Sequence, residues 1–579
     1  MKRMVLSGVL VLALSILALP VFAVPTQNLT SLANFYPEDT FMYFGFRTDA
    51  AFVDEIEALA GRFADAEGGD TRAFSEELDA IAQAMTNDPE ATFAESIQPL
   101  LGSVGAFGIL DGEPLFDDNN ANNIDSGYLI ALSITDRAVV QSFFSNNAAF
   151  MSEYEAIEDS SDYAIFGPNA NNTARNPTYL YFGNNVLLVA TDMALLPQAE
   201  LSVRLSDNTN FSDTMNMLPA GDYAVAGFIN PAGLLASLNE TMADEFEDAE
   251  FLGNMFAMYA ENYHGVGLGF TVLDQNNLIM DVSLNADLEA AAESMGMPLP
   301  EFGAVDLAFA SRVPANAALV VFYPDLAQAI SQGVEQLGTM MEMQQQMLEE
   351  MGVDSDQFEN AEDQIAAMQA GIQMITGGTL EESFGWASGQ GAFAAGIDFT
   401  AFPNGFNSPP TRNPIGVSFV AENVDGGAQQ LYDGLTAFIE RFASSAPDLA
   451  VSEKEIVGGE ATNIAITIDD TPFPIEVQIA VTDSIFVIGT PDYVEAALTG
   501  DGGIGSTAAF QNAASVSLGD TPAYVYIALE PIVTRLGMNM SSGSSMQALG
   551  LFESMSFSGH IGLPSSTSIR YVFSLVAAE

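Results

Sequence analysis

The sequence predicts an α+β protein made by tandem duplication, each half a largely antiparallel sheet covered on one face by amphipathic helices. Three observations predict it. A phrase of turn, apolar strand and helix start occurs four times: "YPEDTFMYFGF" from Tyr36, "LPAGDYAVAGFINPAGLL" from Leu218, "VPANAALVVFYPDLAQAI" from Val313 and "LGDTPAYVYIALEPIVTRL" from Leu518. Hairpins with short polar turns recur in one order, at an offset of roughly 280–300 residues. Long segments with apolar residues at helical spacing lie between the strands and need a sheet face to cover.

The elements follow in order. Residues 1–23, "MKRMVLSGVLVLALSILALPVFA", place Lys2 and Arg3 before an apolar run and small residues, the pattern of a secretory signal peptide. In the first repeat, 32–290, Thr48 or Asp49 caps a helix whose Phe52, Ile56, Leu59 and Phe63 share a face. A strand from Gly105, a long polar loop and a second strand precede a helix over Val139 to Phe150. "YLYFGNNVLLVATDMALL" from Tyr179 is a hairpin turning at Asn184-Asn185. Tyr223 to Ile229 is apolar on both faces, and Asn230-Pro231 starts a helix. A linker, 291–306, carries Pro298 and Pro300.

The second repeat, 307–577, runs through the same sequence of elements. Leu326, Ile330, Val334, Leu337, Met341 and Leu348 form one helical face, and a second helix returns over about Gln357 to Ile375. A strand from Gly391, a long loop over 399–414, a strand and a helix over Ala428 to Phe442 follow. The hairpin from Val477 turns at Thr482-Asp483.

Composition excludes several function classes. Lys+Arg is 14 against Asp+Glu 77, a net charge of −63, so phosphate-binding basic patches are missing and nucleic acid is not a partner. Hydrophobic residues at 48% and 40 Phe exclude general disorder. There is no cysteine, hence neither disulfide nor thiol chemistry. Beyond the signal, no stretch reaches the ~18 apolar residues of a spanning helix, so the mature chain is expected to lack a transmembrane segment.

Three features resemble the DUF3352 family, bacterial exported proteins of unknown function. They are the exported N-terminus followed by "YPEDTFMYFGF", "TLEESFGWASGQGAFAAGI" with Trp386 before a Gly-Ala-Phe strand, and "AFQNAASVSLGDTPAYVYIALEPIV". The resemblance covers most of the mature chain and implies no catalytic residues.

The chain holds no Gly-x-Ser-x-Gly elbow, His-Glu-x-x-His motif or phosphate loop ending in Gly-Lys, and one lysine beyond the signal, Lys454. No enzyme activity and no cofactor are expected. Asp117, Asp118, Asn120 and Asp125 in "DDNNANNIDSG" offer the oxygen ligands that Ca²⁺ takes, without the EF-hand spacing; the alternative is a solvated loop. His264 and His560, the only histidines, are read as matching repeat positions, either a pH- or metal-sensitive pair or a shared local hydrogen bond. Met340, Met341, Met343, Met347 and Met351, with Met368 and Met374 on the return helix, mark helix packing or an adaptable apolar surface.

The expected role is a secreted (periplasmic, cell-surface or extracellular) non-enzymatic protein, acting in protein interaction or structure. The alternative is a carrier that holds lipid or another apolar ligand between sheet and helices. An envelope or extracellular protein or an apolar ligand is the expected partner, with divalent cations a further candidate given the acidity. A carrier predicts a dry pocket lined by Phe and Met; an interaction protein predicts a filled core and an exposed patch.

Overall fold

The computed structural model describes residues 24–67, 74–110, 127–172, 178–196, 203–231, 261–273, 276–294, 303–334, 338, 361–403, 408–467, 473–537, 550–562 and 565–576. The signal segment 1–23 and the loop bearing Asp117, Asp118, Asn120 and Asp125 lie outside these residues, as do Met340, Met341, Met343, Met347 and Met351. The chain is α+β, its sheets antiparallel in every strand pair described. It divides into two compact units, residues 1–291 with 562–569 and residues 292–561 with 570–579.

Among the described residues, ten strands build the sheet of unit 1: β1 (Met42–Arg47), β2 (Leu101–Ile109), β3 (Tyr128–Ile134), β4 (Tyr154–Asp159), β5 (Ala164–Pro168), β6 (Tyr179–Phe182), β7 (Val186–Ala190), β8 (Val225–Ile229), β9 (Tyr263–Leu273) and β10 (Asn277–Ala286). Their order is β10-β9-β8-β1-β2-β3-β7-β6-β5-β4. Helix α1 (Ala50–Glu67) follows β1 because Asp49 stops the strand: its Oδ1 accepts the Phe52 N–H at 3.1 Å. Phe52, Ile56 and Leu59 are buried, and the first two join Phe44, Phe46, Phe107 and Val225 in one core.

The opposite face of the same sheet carries a second core. Tyr43, Phe211 of helix α2 (Thr209–Asn216) and Phe228 meet edge to face, with centroids 5.5 and 5.2 Å apart, and Leu29, Leu32 and Tyr36 complete it. The expectation of cover on one face is thus corrected. Strands apolar on both sides need two layers, and unit 1 supplies both.

The helix expected over Val139 to Phe150 is two. α3 (Arg137–Ser145) is capped by Asp136, and Asn147 starts a separate turn, accepting the N–H groups of Ala149 and Phe150 at 3.0 Å. The turn at Asn184-Asn185 is as expected: the Gly183 N–H reaches Val186 O at 2.9 Å.

Unit 2 contains β11 (Leu319–Tyr323), β12 (Gly391–Ile397), β13 (Ile415–Glu422), β14 (Leu449–Ile456), β15 (Gly459–Ile466), β16 (Ile475–Thr482), β17 (Ile485–Gly489), β18 (Tyr524–Ala528), β19 (Phe552–Gly562, up to Ile561) and, from Arg570 on, β20 (Ser566–Leu575). Among the described pairs, the order runs β19-β18-β11-β12-β13-β17-β16-β15-β14. One face packs under α4 (Pro491–Thr499) and α5 (Ala508–Ser515) through Val320, Phe322, Tyr493, Phe510, Tyr524 and Tyr526. On the other face α6 (Ala428–Ala443) and Trp386 cover part of the sheet, against Ala421, Ile464, Ile479, Val481 and Phe486.

The return helix is described from Ala361 to Thr376 and packs on α6; of the first Met-rich helix, residues 326–334 are described, with Asp325 as cap at 2.8 Å to the Gln328 N–H. The hairpin turn centres one residue later than expected, on Asp483-Ser484, because Thr482 Oγ1 accepts the Ser484 and Ile485 N–H groups. The expected linker 291–306 begins inside a helix, Leu288–Ser294. Its end is bound into unit 2: Val305 N–H donates to Thr521 O at 2.8 Å, and Gln390 bridges Ala304 O and the Asp306 N–H.

Candidate interaction surface

Alternation along a strand sends neighbouring side chains to opposite faces. In β12, Ala392 and Ala394 point into the packed core and have no exposure, while Phe393 and Ile397 point away and are 36% and 49% exposed. The register extends this outward set across five strands. One row reads Val417, Ala395, Leu319, Ile527 and Met555, each directly opposite the next. A second reads Phe419, Phe393, Val321, Val525 and Phe557. All ten are apolar and none is fully buried. Phe419 borders the cluster under α6; of the other nine, Phe393 is exposed and the rest are half-buried.

Ile397 and Ile415 extend the face at one end, paired directly across β12 and β13, with Ile415 57% exposed. A polar rim adjoins them. Asp398 accepts from the Arg412 Nε–H at 2.9 Å and from Nη2 at 2.5 Å, and from Thr400 Oγ1 at 2.6 Å. Partial burial pulls the Asp398 carboxyl upward, but the hydrogen bonds of Thr400 and Arg412 and the Arg412 charge outweigh it and hold it below the usual carboxylate range. With Arg412 64% exposed, this pair shapes the rim more than it stabilises the fold.

Unit 1 shows how the same kind of face closes. Its corresponding rows include Ile130, Phe107 and Phe44, all buried, because α1 lays Phe52 and Ile56 over them. The exposure of Phe393, Ile397 and Ile415 is not legible in the sequence, since both faces of these strands read as equally apolar.

An open cleft of about 400 Å³ in unit 2 is lined by Gly303, Ala304, Pro324, Asp325, Gln328, Ser388 and Gln390. Its lining is polar, unlike the dry Phe- and Met-lined pocket that a carrier requires. Among the described residues, no group of three or more His, Cys, Asp or Glu is placed to hold a metal ion.

His264 and His560 do not occupy matching positions. His264 is the extra residue of a bulge in β9, between Tyr263 opposite Ala286 and Gly265 opposite Asn285, ahead of the stretch paired with β8. His560 is exposed and lies past the stretch of β19 paired with β18. Relative to Ala226–Gly269 in one unit and Tyr526–Ser556 in the other, the two histidines sit at opposite strand ends. A match on a rare residue type overrode the ladder. The better signal was the small-residue stripe, Gly265, Gly267 and Gly269 against Ser554, Ser556 and Ser558. Met374 is 66% exposed on the return helix.

A family model described as "Protein of unknown function (DUF3352)" matches residues 3–555. No curated protein and no solved structure matches the chain. Among the described residues, no helix is long and apolar enough to cross a membrane.

Proposed function

The chain belongs to this DUF3352 family, and from that membership and the geometry above we propose a non-enzymatic interaction protein, exported to the cell envelope or beyond. It holds a protein partner through the open apolar face of unit 2. The observation that carries this reading is the pair of apolar rows over β13, β12, β11, β18 and β19, set above a filled core. An apolar centre beside a polar rim, here Asp398 and Arg412, is the anatomy of a protein–protein patch. A carrier of lipid encloses its ligand; this face instead presents Phe393, Ile397 and Ile415 at the surface.

The two units descend, in this proposal, from one duplicated ancestor. Adding ten to each strand number of unit 1 reproduces the pairing order of unit 2 from β19 to β14. After duplication, one copy kept its second face covered by α1 and the other left part of it open for binding.

The test is native mass spectrometry of the chain purified from its own envelope fraction, with lipid extraction in parallel, for wild type and for Phe393→Asp/Ile415→Asp. A stoichiometric protein complex that the double substitution dissolves is the expected result. A stoichiometric lipid or small apolar molecule, or a bare chain, overturns the proposal.

A further inference from the structure

The sheet of unit 2 ends on β14, which among the described residues pairs with β15 alone. Its ladder is regular over eight positions, from Leu449 opposite Ile466 to Ile456 opposite Gly459, with no shift. The Thr467 N–H donates to Asp448 O at 2.8 Å and fixes the phase of that ladder. In an antiparallel pair, bonded and non-bonded positions alternate. The even-numbered residues of β14 therefore exchange bonds with β15. The N–H and C=O groups of Leu449, Val451, Glu453 and Glu455 point outward, along the free edge. Residues 452–455 are exposed.

Proteins close such edges with bulges, prolines, short strands or charged side chains. Unit 1 does so at its own terminal strand: β4 has a register shift at Ile157, between Ala156 opposite Phe166 and Glu158 opposite Ile165. Neither bulge nor proline interrupts β14, and charge alone guards it, through Glu453, Lys454 and Glu455. Its charge then selects the occupant. Glu453 and Glu455 share a face, and Glu455 stands directly opposite Glu460, a like-charge pair that disfavours the bare edge. A strand added beside β14 would place alternate side chains next to these carboxylates, where lysine or arginine relieves the repulsion.

We propose that β14 is a strand-addition site for an extended basic segment of a protein partner. This deepens the interaction reading above and rests on it. Main-chain bonds to Val451, Glu453 and Glu455 supply the binding, and alternating cationic side chains opposite Glu453 and Glu455 supply the selectivity.

The test uses the full chain and a fluorescent peptide of about ten residues alternating lysine and valine, read by fluorescence anisotropy. Glu453→Pro removes one outward donor and leaves the ladder to β15 intact, because that N–H does not face β15. Glu453→Lys/Glu455→Lys reverses the charge without touching the backbone. Each variant is expected to bind at least about tenfold more weakly, and a lysine–proline peptide of equal charge is expected not to bind. Failure of the wild type to bind the peptide overturns the proposal, as does unchanged affinity in Glu453→Pro. So does equal affinity for the lysine–proline peptide, which would reduce the effect to bulk attraction by an acidic chain. If the peptide fails while the Ile415-dependent envelope complex persists, the edge assignment alone falls. If that complex is absent too, the interaction reading falls with it.

Discussion

The Tyr223 hydroxyl donates to Asp281 Oδ2 at 2.5 Å, and Asp281 has no exposure to solvent. The same oxygen of Tyr223 accepts the Ala220 N–H at 2.8 Å, so one phenol ties the turn before β8 to the middle of β10. The ring reaches this position because Gly269, opposite Asp281, has no side chain; a Cβ there would lie 2.3 Å from Tyr223 Cε1. Tyr223→Phe keeps the ring and takes one hydrogen-bond partner from each of these polar groups. It is expected to cost about 2–3 kcal/mol in urea unfolding. Tyr493 provides the contrast: its hydroxyl is buried with no hydrogen-bond partner, and burial followed by the charge of Asp398 pushes its pKa up to about 12. Tyr493→Phe is expected to be neutral or stabilising. Equal losses at the two sites would show that the Asp281 contact contributes nothing special.

Ile415 makes a second expectation concrete. A side chain 57% exposed contributes little to the fold, so Ile415→Asp is expected to shift unfolding free energy by no more than about 0.5 kcal/mol. The same change, with Phe393→Asp, is expected to reduce binding of an apolar-surface dye such as anilinonaphthalene sulfonate. A large loss of stability would mean that these residues belong to a core, and the open face would lose its meaning.

Local signals carried most of the elements, and long-range pairing carried what was missed. Asp49 before an apolar helical stripe reads directly as a cap, and Asn184-Asn185 between alternating strands reads directly as a turn. The turn at Asp483-Ser484 was displaced by a side-chain bond from Thr482 that no spacing rule encodes. The division of labour between the faces of β12 was illegible for a different reason. Phe393 and Phe322 are equally apolar in sequence, yet one is exposed and the other fully buried. Only the packing of distant helices decides between them. The free edge of β14 is likewise a property of strand order, which a single sequence does not encode locally.

Gly416 tests how tightly unit 2 is packed. It lies opposite Gly396 in the β12–β13 ladder, and both sit beneath the Tyr493 side chain. A Cβ at Gly416 would fall 2.1 Å from Tyr493 Cε2, inside any permitted contact. Gly416→Ala is therefore expected to destabilise by about 1–3 kcal/mol. Shrinking the ring removes the conflict, so Gly416→Ala/Tyr493→Leu is expected to lose less than the sum of the single changes, with a coupling of at least about 0.5 kcal/mol. Strict additivity in thermal or urea unfolding would place the strain elsewhere.

Asp49 supplies a pH dependence whose sign is fixed by its partners. Burial raises its pKa, but the hydrogen bond and charge of Arg47 and the Phe52 N–H more than offset that, and the net shift is downward. Arg47 is only 6% exposed, binds Asp49 through Nε at 2.8 Å and Nη2 at 2.5 Å, reaches Glu55 at 3.3 Å and lies over the Phe52 ring at 5.7 Å. A carboxylate whose folded pKa is depressed stabilises the fold fully above its unfolded value, near 3.9, and loses that contribution as pH falls through the folded value. Asp49→Asn keeps an N-cap acceptor and removes the charge. Wild type is therefore expected to exceed Asp49→Asn in stability at pH 7, with a gap that narrows steadily below about pH 4. Effects of the large net negative charge are common to both chains and cancel in the difference. Urea unfolding of the two proteins from pH 7 to pH 3 measures the gap directly. A gap constant over that range would assign Asp49 a capping role alone, with no contribution from its ion pair to Arg47.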